Sequence, residues 1–379
     1  MAESSCLTFD FSNNIVSFSS SLLAHFGAAP KHPTMPMIDE VLKGHRKVVV
    51  LLFDGLGQHM IEKHLKEDSY LRSHLFHTME AVFPPTTVAS TNAFLSGLYP
   101  IENGWLAWDQ WVEKYGCNVE GFTNRDHNSG KEILPHKDNI LERLAPYASI
   151  FEQMRDGGFQ GELFRVFPSR ILPKMPSTLK DYRKRIDEHL KDATDAFGYV
   201  YWTEPDSSMH EFGVTSKKVH REILKIQRFV KGLVKAHPDT LFLTIADHGL
   251  VDIISEDLCD HPDLYSFLYR PVSMEGRVST FFVKEGKQEE FASLFHRYYQ
   301  DHYVLLTKEE AKNIHLFGLG EEHPIFDEAI GDFVSVSITP YALYASKDYP
   351  GVAEEDLLKA AHAGYTKDEM EIGIGVYNR

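Results

Sequence analysis

Val48 to Phe53 is the longest unbroken apolar run in the chain, six residues that stop at Asp54. A run of that length fits a fully buried strand and falls far short of the roughly 20 residues that span a bilayer. Shorter runs at Phe197–Trp202, Thr240–Ala246, Thr280–Val283 and Phe333–Ile338 predict four further strands. Between them the spacing of apolar positions changes. Val219, Ile223, Ile226, Val230 and Leu233, and then Phe291, Leu294, Phe295 and Tyr298, recur every three or four residues and predict helices with one buried face. Strands alternating with amphipathic helices imply a mainly parallel α/β sheet flanked by helices. Segments 103–148 and 252–330 break the alternation and are rich in Pro, Gly, charge and aromatic residues, so insertions are expected there, within one domain over residues 1–379. No internal repeat, heptad or low-complexity tract is visible.

Composition narrows the picture. Hydrophobic residues make up 43% and charged residues 25%, an ordinary globular balance. The net charge of −16 disfavours binding the phosphate backbone of a nucleic acid polymer. Cys6, Cys117 and Cys259 are far apart and odd in number, which argues against a disulfide framework and against a thiolate metal site. The N-terminus carries no basic patch followed by an apolar segment, so the sequence reads as a cytoplasmic protein without a membrane partner. Oligomeric state leaves no mark in it.

Ligand sites of open parallel sheets form beyond the carboxyl ends of the strands. "KVVVLLFDGLG" delivers Asp54 to such a point, and "TLFLTIADHG" delivers Asp247 and His248. "AFGYVYWTEPDSSMHEFG" is followed there by Asp206 and, four residues on, His210. Singly, each has a plain explanation as a turn or a solvated helix start. Together they put three carboxylates on one sheet edge, a costly arrangement unless cations neutralise them. Oxygen and nitrogen donors without cysteine suit two divalent ions such as zinc or manganese, which can clamp the attacking and leaving oxygens of an in-line displacement. "FPPTTVASTNAFLSGLYP" then offers a hydroxyl, from Thr86 or Thr87, at the start of an apolar-periodic helix. Walker-type, GxSxG and HExxH motifs are absent, and the Gly-x-Gly pairs at Gly55/Gly57 and Gly318/Gly320 are too sparse for a nucleotide cradle. Asp126-His127 and Asp260-His261 follow no apolar strand and are expected to be surface or loop residues.

In the order of these motifs the chain resembles the type I phosphodiesterase/nucleotide pyrophosphatase family of the alkaline phosphatase superfamily. The resemblance spans residues 47 to 370: a strand-end Asp, a Thr in an "FP…T…GLYP" setting, Asp-x-x-x-His, Asp-His-Gly, and a late His, here His362 in "HAGYTKDEM". It implies an alkaline phosphatase-like fold with capping insertions. It also implies one metal held by Asp54, Thr87, Asp247 and His248, and a second held by Asp206, His210 and His362. Zinc is the expected metal, with manganese as the alternative. Thr87 rather than Thr86 matches the family's nucleophile, which stands ten residues before the Gly of "GLYP", here Gly97.

The chain departs from the family at Ser90, where nucleotide-cleaving members commonly carry an Asn that donates to the phosphate, and at Asn103, where the family often has His. "WLAWDQWVEKY" follows the Thr87 helix, and Trp105 and Trp108, with Ser90, are the candidate substrate contacts. The alternative for these tryptophans is packing of an insertion onto the core. The expected activity is hydrolysis of a small phosphate ester or nucleotide, as a phosphodiesterase or nucleotide pyrophosphatase working through a phospho-threonine intermediate. Its rivals are a phosphomonoesterase, a phosphonate hydrolase or a phosphomutase on the same core, and an inactive binding protein retaining the fold. A sulfatase lacks support because no Cys/Ser-x-Pro-x-Arg sequence occurs.

Overall fold

In the computed structural model, which describes residues 7–135, 138–168, 176–348 and 358–378, the apolar run at Val48 becomes the strand Lys47–Phe53 inside a six-stranded sheet. The strand order is Leu75–Glu80, Glu371–Tyr377, Leu241–Ile245, Lys47–Phe53, Ala196–Trp202, Glu162–Val166. Lys47–Phe53 is parallel to both neighbours, with Val50 opposite Tyr199 on one side and Leu243 on the other. Glu162–Val166 continues the parallel arrangement. Glu371–Tyr377 alone runs against the rest, antiparallel to the strands on either side of it. The sheet is therefore mainly parallel, as its near-continuous apolar runs require.

Helices cover this sheet. Lys217–Ala236 buries Val219, Ile223, Ile226, Val230 and Leu233, the stripe that the spacing predicts. Ile15–His25 packs on Thr87–Ser96, where Phe18 meets Phe94, and Phe94 stacks on Tyr199 of the sheet. Thr87–Ser96 ends at Gly97, whose φ of +69° only glycine adopts without strain.

A second, antiparallel sheet joins Ser273–Glu275, Val278–Phe281, Phe333–Ser337 and Tyr303–Thr307, and the helix Gln288–Tyr299 packs on it through Phe291, Phe295 and Tyr299. The strand expected at Thr280–Val283 lies two residues earlier, at Val278–Phe281. "VSTFFV" has apolar residues at both ends, and the pairing with Phe333–Ser337 rather than the local pattern selects its register. A hairpin, Asp109–Val112 with Cys117–Glu120, is carried on a cluster that includes Trp105, Val112, Val119, Ile140 and Leu141. Cys117 and Cys259 are free thiols, and Cys6 lies outside the described residues. Among the described residues no helix is long and apolar enough to cross a membrane.

Candidate metal centre and pocket

Each chemically active side chain is presented by a strand end or a helix start. Asp54 follows the last residue of Lys47–Phe53 and is held in a tight turn: Gly55 has φ +70°, and a Cβ there would lie 2.7 Å from Leu250 and 2.8 Å from Met209. Asp247 and His248 follow Leu241–Ile245 in the neighbouring strand. Asp206 opens the helix Asp206–Phe212, so His210 one turn later shares its face and stands with Nε2 3.1 Å from Asp206 Oδ1. His362 arrives on the segment before Glu371–Tyr377, fixed by Ala363, which adopts φ +84° and donates its N–H to Pro85 O at 3.0 Å. Thr87 is the first residue of its helix. Thr86 occupies the N-cap position, but its side chain makes no capping hydrogen bond.

These groups converge. Thr87 Oγ1 lies 3.2 Å from His248 Nε2 and 3.4 Å from Asp54 Oδ1, while His248 Nε2 lies 3.4 Å from Asp54 Oδ1 and 3.6 Å from Asp247 Oδ2. His362 Nε2 lies 3.9 Å from Asp206 Oδ1. All three imidazoles turn Nε2 inward: His210 Nδ1 bonds to Ala360 O at 2.7 Å and His248 Nδ1 to Gly249 O at 3.1 Å, whereas His362 Nδ1, 3.3 Å from Glu275 Oε2, makes no hydrogen bond. A carbonyl only accepts, so in His210 and His248 Nδ1 carries a proton, and Nε2 is the nitrogen that would offer its lone pair to a metal.

Two sets of donor atoms each fall within 4.8 Å of one another: Asp206, His210 and His362, and Asp54, Asp206 and His248. Asp206 belongs to both. Asp247 Oδ1 accepts the Gly55 and His248 N–H groups, each at 3.1 Å, whereas its buried Oδ2 has no hydrogen-bond partner. Burial, with Asp206 and Asp247 nearby, pushes the Asp54 carboxyl well above the usual carboxylate range, although Tyr201 donates to it. Burial likewise raises Asp247. Burial alone would depress His210, but Asp206 overrides it and holds the imidazole at about 9. Three crowded carboxylates, an orphaned carboxylate oxygen and three imidazole nitrogens aimed inward are the donor set of a divalent-metal centre without sulfur.

Residues 48–362 match the sequence profile of the type I phosphodiesterase / nucleotide pyrophosphatase family. The chain belongs to that family. It is a hydrolase of phosphate ester bonds. No curated protein sequence gives a significant match. Among solved structures, murine ectonucleotide pyrophosphatase/phosphodiesterase 5 aligns with a TM-score of 0.64 at 17% identity, covering 88% of each chain. The human protein of the same name gives 0.64 at 16% identity over the same shares. An inactive threonine-to-alanine variant of the murine protein, in complex with AMP, gives 0.63 at 17% identity, again over 88% of each chain. At these identities the likeness is one of fold, the alkaline phosphatase-like α/β fold of this family.

In this family member a cavity of about 910 Å³ opens over Asp54, Thr87, Asp206, His210 and His362. Asp247 and His248 are fully buried and do not line it. Of the residues expected to meet substrate, Trp108 lines the cavity. Trp105 does not: it is buried in the cluster beneath the hairpin, with Nε1 donating to Ala145 O at 3.0 Å, so packing accounts for it. Ser90 is also fully buried and absent from the cavity wall, because it faces inward one turn into its helix. Asp260 ends the short 3-10 helix Leu258–Asp260 at the surface, and His261 takes the N-cap position of the helix Pro262–Tyr265 and stacks on Tyr298. His127, expected at the surface, instead lines the cavity between Glu120 Oε1 at 3.0 Å and Asp109 Oδ2 at 3.5 Å. The hairpin that carries Asp109 and Glu120 folds it inward, a long-range effect no local pattern announces.

Tyr201 and Glu275 also line the cavity and are not singled out by the sequence reading. Tyr201 had a signal in the alternation of "AFGYVYW", whose tyrosines share one face of the strand. Glu275, a carboxylate between short apolar runs, had only its oddity.

Proposed function

We propose that the chain is a two-metal phosphodiesterase for small nucleotide-like esters, with Thr87 as its nucleophile. Asp54, Thr87, Asp247 and His248 would hold one ion and Asp206, His210 and His362 the other. When bound, the pair, zinc or manganese, supplies the positive charge that offsets the three carboxylates and polarises the phosphoryl oxygens. The observation that carries the reading is Thr87 Oγ1, at a helix N-terminus and within 3.4 Å of both Asp54 and His248. Its hydroxyl donates toward Asp54, so a carboxylate stands where the proton leaves. Thr87 Oγ then bonds to phosphorus as the leaving-group oxygen departs, and water hydrolyses the resulting threonine phosphoester to free the hydroxyl. First-turn amides of Thr87–Ser96 suit the non-bridging oxygens, because a helix start leaves N–H groups without intrahelical partners. The loss of activity in the threonine variant of the murine relative supports the same role for Thr87 here, and its AMP complex supports a nucleotide-sized ligand.

The choice of diester over monoester rests on charge. Among the described residues lining the cavity there is no lysine or arginine, whereas a dianionic monoester usually calls for a further cation beside the metals. A diester carries one negative charge and a second substituent, for which Trp108 and Phe122 offer aromatic surface. The test is steady-state kinetics on a nitrophenyl monoester and the matching nucleoside nitrophenyl diester at one metal concentration. The expected result is a higher kcat/KM for the diester, and a tenfold preference for the monoester would make the protein a phosphatase.

A further inference from the structure

The Glu275 side chain is mostly buried at the cavity wall, and its place is set from two sides. Oε1 accepts the Trp108 N–H at 2.9 Å, and Oε2 lies 3.3 Å from His362 Nδ1, a buried nitrogen with no hydrogen-bond partner. Glu275 ends the strand Ser273–Glu275, and two residues on Arg277 makes a fork to Glu369, Nε to Oε1 and Nη2 to Oε2, each at 2.6 Å. Glu369 Oε1 also accepts the Gly364 N–H at 2.9 Å, two residues beyond His362. The Arg277–Glu369 pair is completely buried and ties the Glu275 turn to the segment that carries His362.

We propose that Glu275 is a positioning residue for the second metal site: its Oε2 is the acceptor that takes the otherwise unpartnered His362 Nδ1–H when Nε2 engages the metal, and so holds Nε2 turned toward Asp206 and His210. The inference rests on the ligand assignment made above. His210 and His248 have backbone carbonyls for this purpose. His362 also has the Pro85 carbonyl beside it, which accepts the Ala363 N–H at 3.0 Å and keeps a second lone pair, so experiment has to separate the two acceptors. A carboxylate acceptor both fixes the tautomer and makes the ring a better donor.

Glu275→Gln keeps the shape but has a single acceptor oxygen, so either Trp108 N–H or His362 Nδ1–H goes unmet. Zinc alone is titrated into chelator-treated full-length protein, wild type and Glu275→Gln, in competition with a chromophoric chelator, alongside thermal unfolding of the metal-free forms. The expected result is two equivalents in the wild type, one of which weakens by about 10–100-fold in Glu275→Gln, as outer-shell partners of metal-bound histidines typically do, while the other keeps its affinity. Glu275→Ala should weaken that equivalent at least as much. Unchanged binding of both equivalents in Glu275→Gln would mean that Pro85 suffices and would overturn the inference. Equal weakening of both, with a lowered metal-free melting midpoint, would overturn it too by making Glu275 merely structural. Fewer than two equivalents in the wild type would instead overturn the two-metal reading itself.

Discussion

Replacing Thr87 by Ala should leave a folded protein that no longer turns over substrate. The change removes one hydroxyl and one methyl at the first position of a helix, where alanine is the better helix former. The buried methyl is worth about 1 kcal/mol, so stability should move by about 1 kcal/mol at most, a shift of roughly 2 °C in a chain of this size. The kinetic effect is of another order. Removing a covalent nucleophile costs about 10⁴–10⁶ in kcat, or roughly 5–8 kcal/mol of barrier. Thr86→Ala provides the contrast. Thr86 makes no cap bond, so the usual cap penalty of about 1 kcal/mol does not apply, and because its buried hydroxyl has no hydrogen-bond partner its loss should lower kcat by less than about tenfold. Both variants are assayed for kcat on a nucleoside nitrophenyl diester at saturating zinc. Acid-quenched wild type is weighed intact for the covalent adduct, which Thr87→Ala cannot form. Retention of more than about 1% of kcat in Thr87→Ala would refute the nucleophile assignment, given the size of the effect expected. So would equal, mild losses in the two variants.

Other expectations follow from the same geometry. Elemental analysis after zinc or manganese reconstitution should find two equivalents per chain, and chelation should lower the melting midpoint, because Asp54, Asp206 and Asp247 then repel one another without compensation; one equivalent or fewer counts against the assignment. His127, facing Asp109, Glu120 and Glu275, is held at about 9 despite its burial, so its contribution to stability is complete below about 6.5 and is lost as pH rises through 9. Burial holds Asp109 at about 7, so its ionisation disfavours the fold from about pH 4 up to 7, and the two effects have the same sign. Melting curves of metal-saturated protein from pH 6.5 to 9.5 should therefore fall, and His127→Gln should flatten that fall; parallel curves would contradict it. Ala363→Gly should relieve about 1 kcal/mol of left-handed strain and raise the melting midpoint of metal-free protein, and a lower midpoint would show that φ +84° is not strained there.

What the sequence made legible follows the physics of burial. Lys47–Phe53, Ala196–Trp202 and Leu241–Ile245 are buried almost throughout, so their composition announced them and placed Asp54, Asp206, Asp247 and His248 at their ends. Leu75–Glu80 and Glu162–Val166 are half-covered, and Glu371–Tyr377 is interrupted by two glycines, so none carries an apolar run. Thr87 was legible from its motif. Glu275 and His127 were not, because each reaches the site through an antiparallel pairing, Ser273–Glu275 with Val278–Phe281 for one and the Asp109–Glu120 hairpin for the other. Trp105 and Ser90, read from sequence as substrate contacts, lie buried off the cavity wall for a related reason: sequence gives proximity to the Thr87 helix, whereas only packing decides which side faces the cavity.

The position of Glu371–Tyr377 bears on how the chain is made. This strand fills the gap between Leu75–Glu80 and Leu241–Ile245, which do not pair with each other. During synthesis, with the N-terminal part emerging first, that slot stays open, with two strand edges unpaired, until the last of the described strands has left the ribosome. His362 travels on the segment just ahead of it and reaches its place together with the closing strand. A nascent chain can thus lay down the Asp54 and Asp247 strands early, yet the centre is completed only by the final step of sheet closure. On the ligand assignment proposed above, metal uptake would report that the whole sheet is finished, and a chain stalled or clipped before residue 362 is left with an open sheet and without the third histidine.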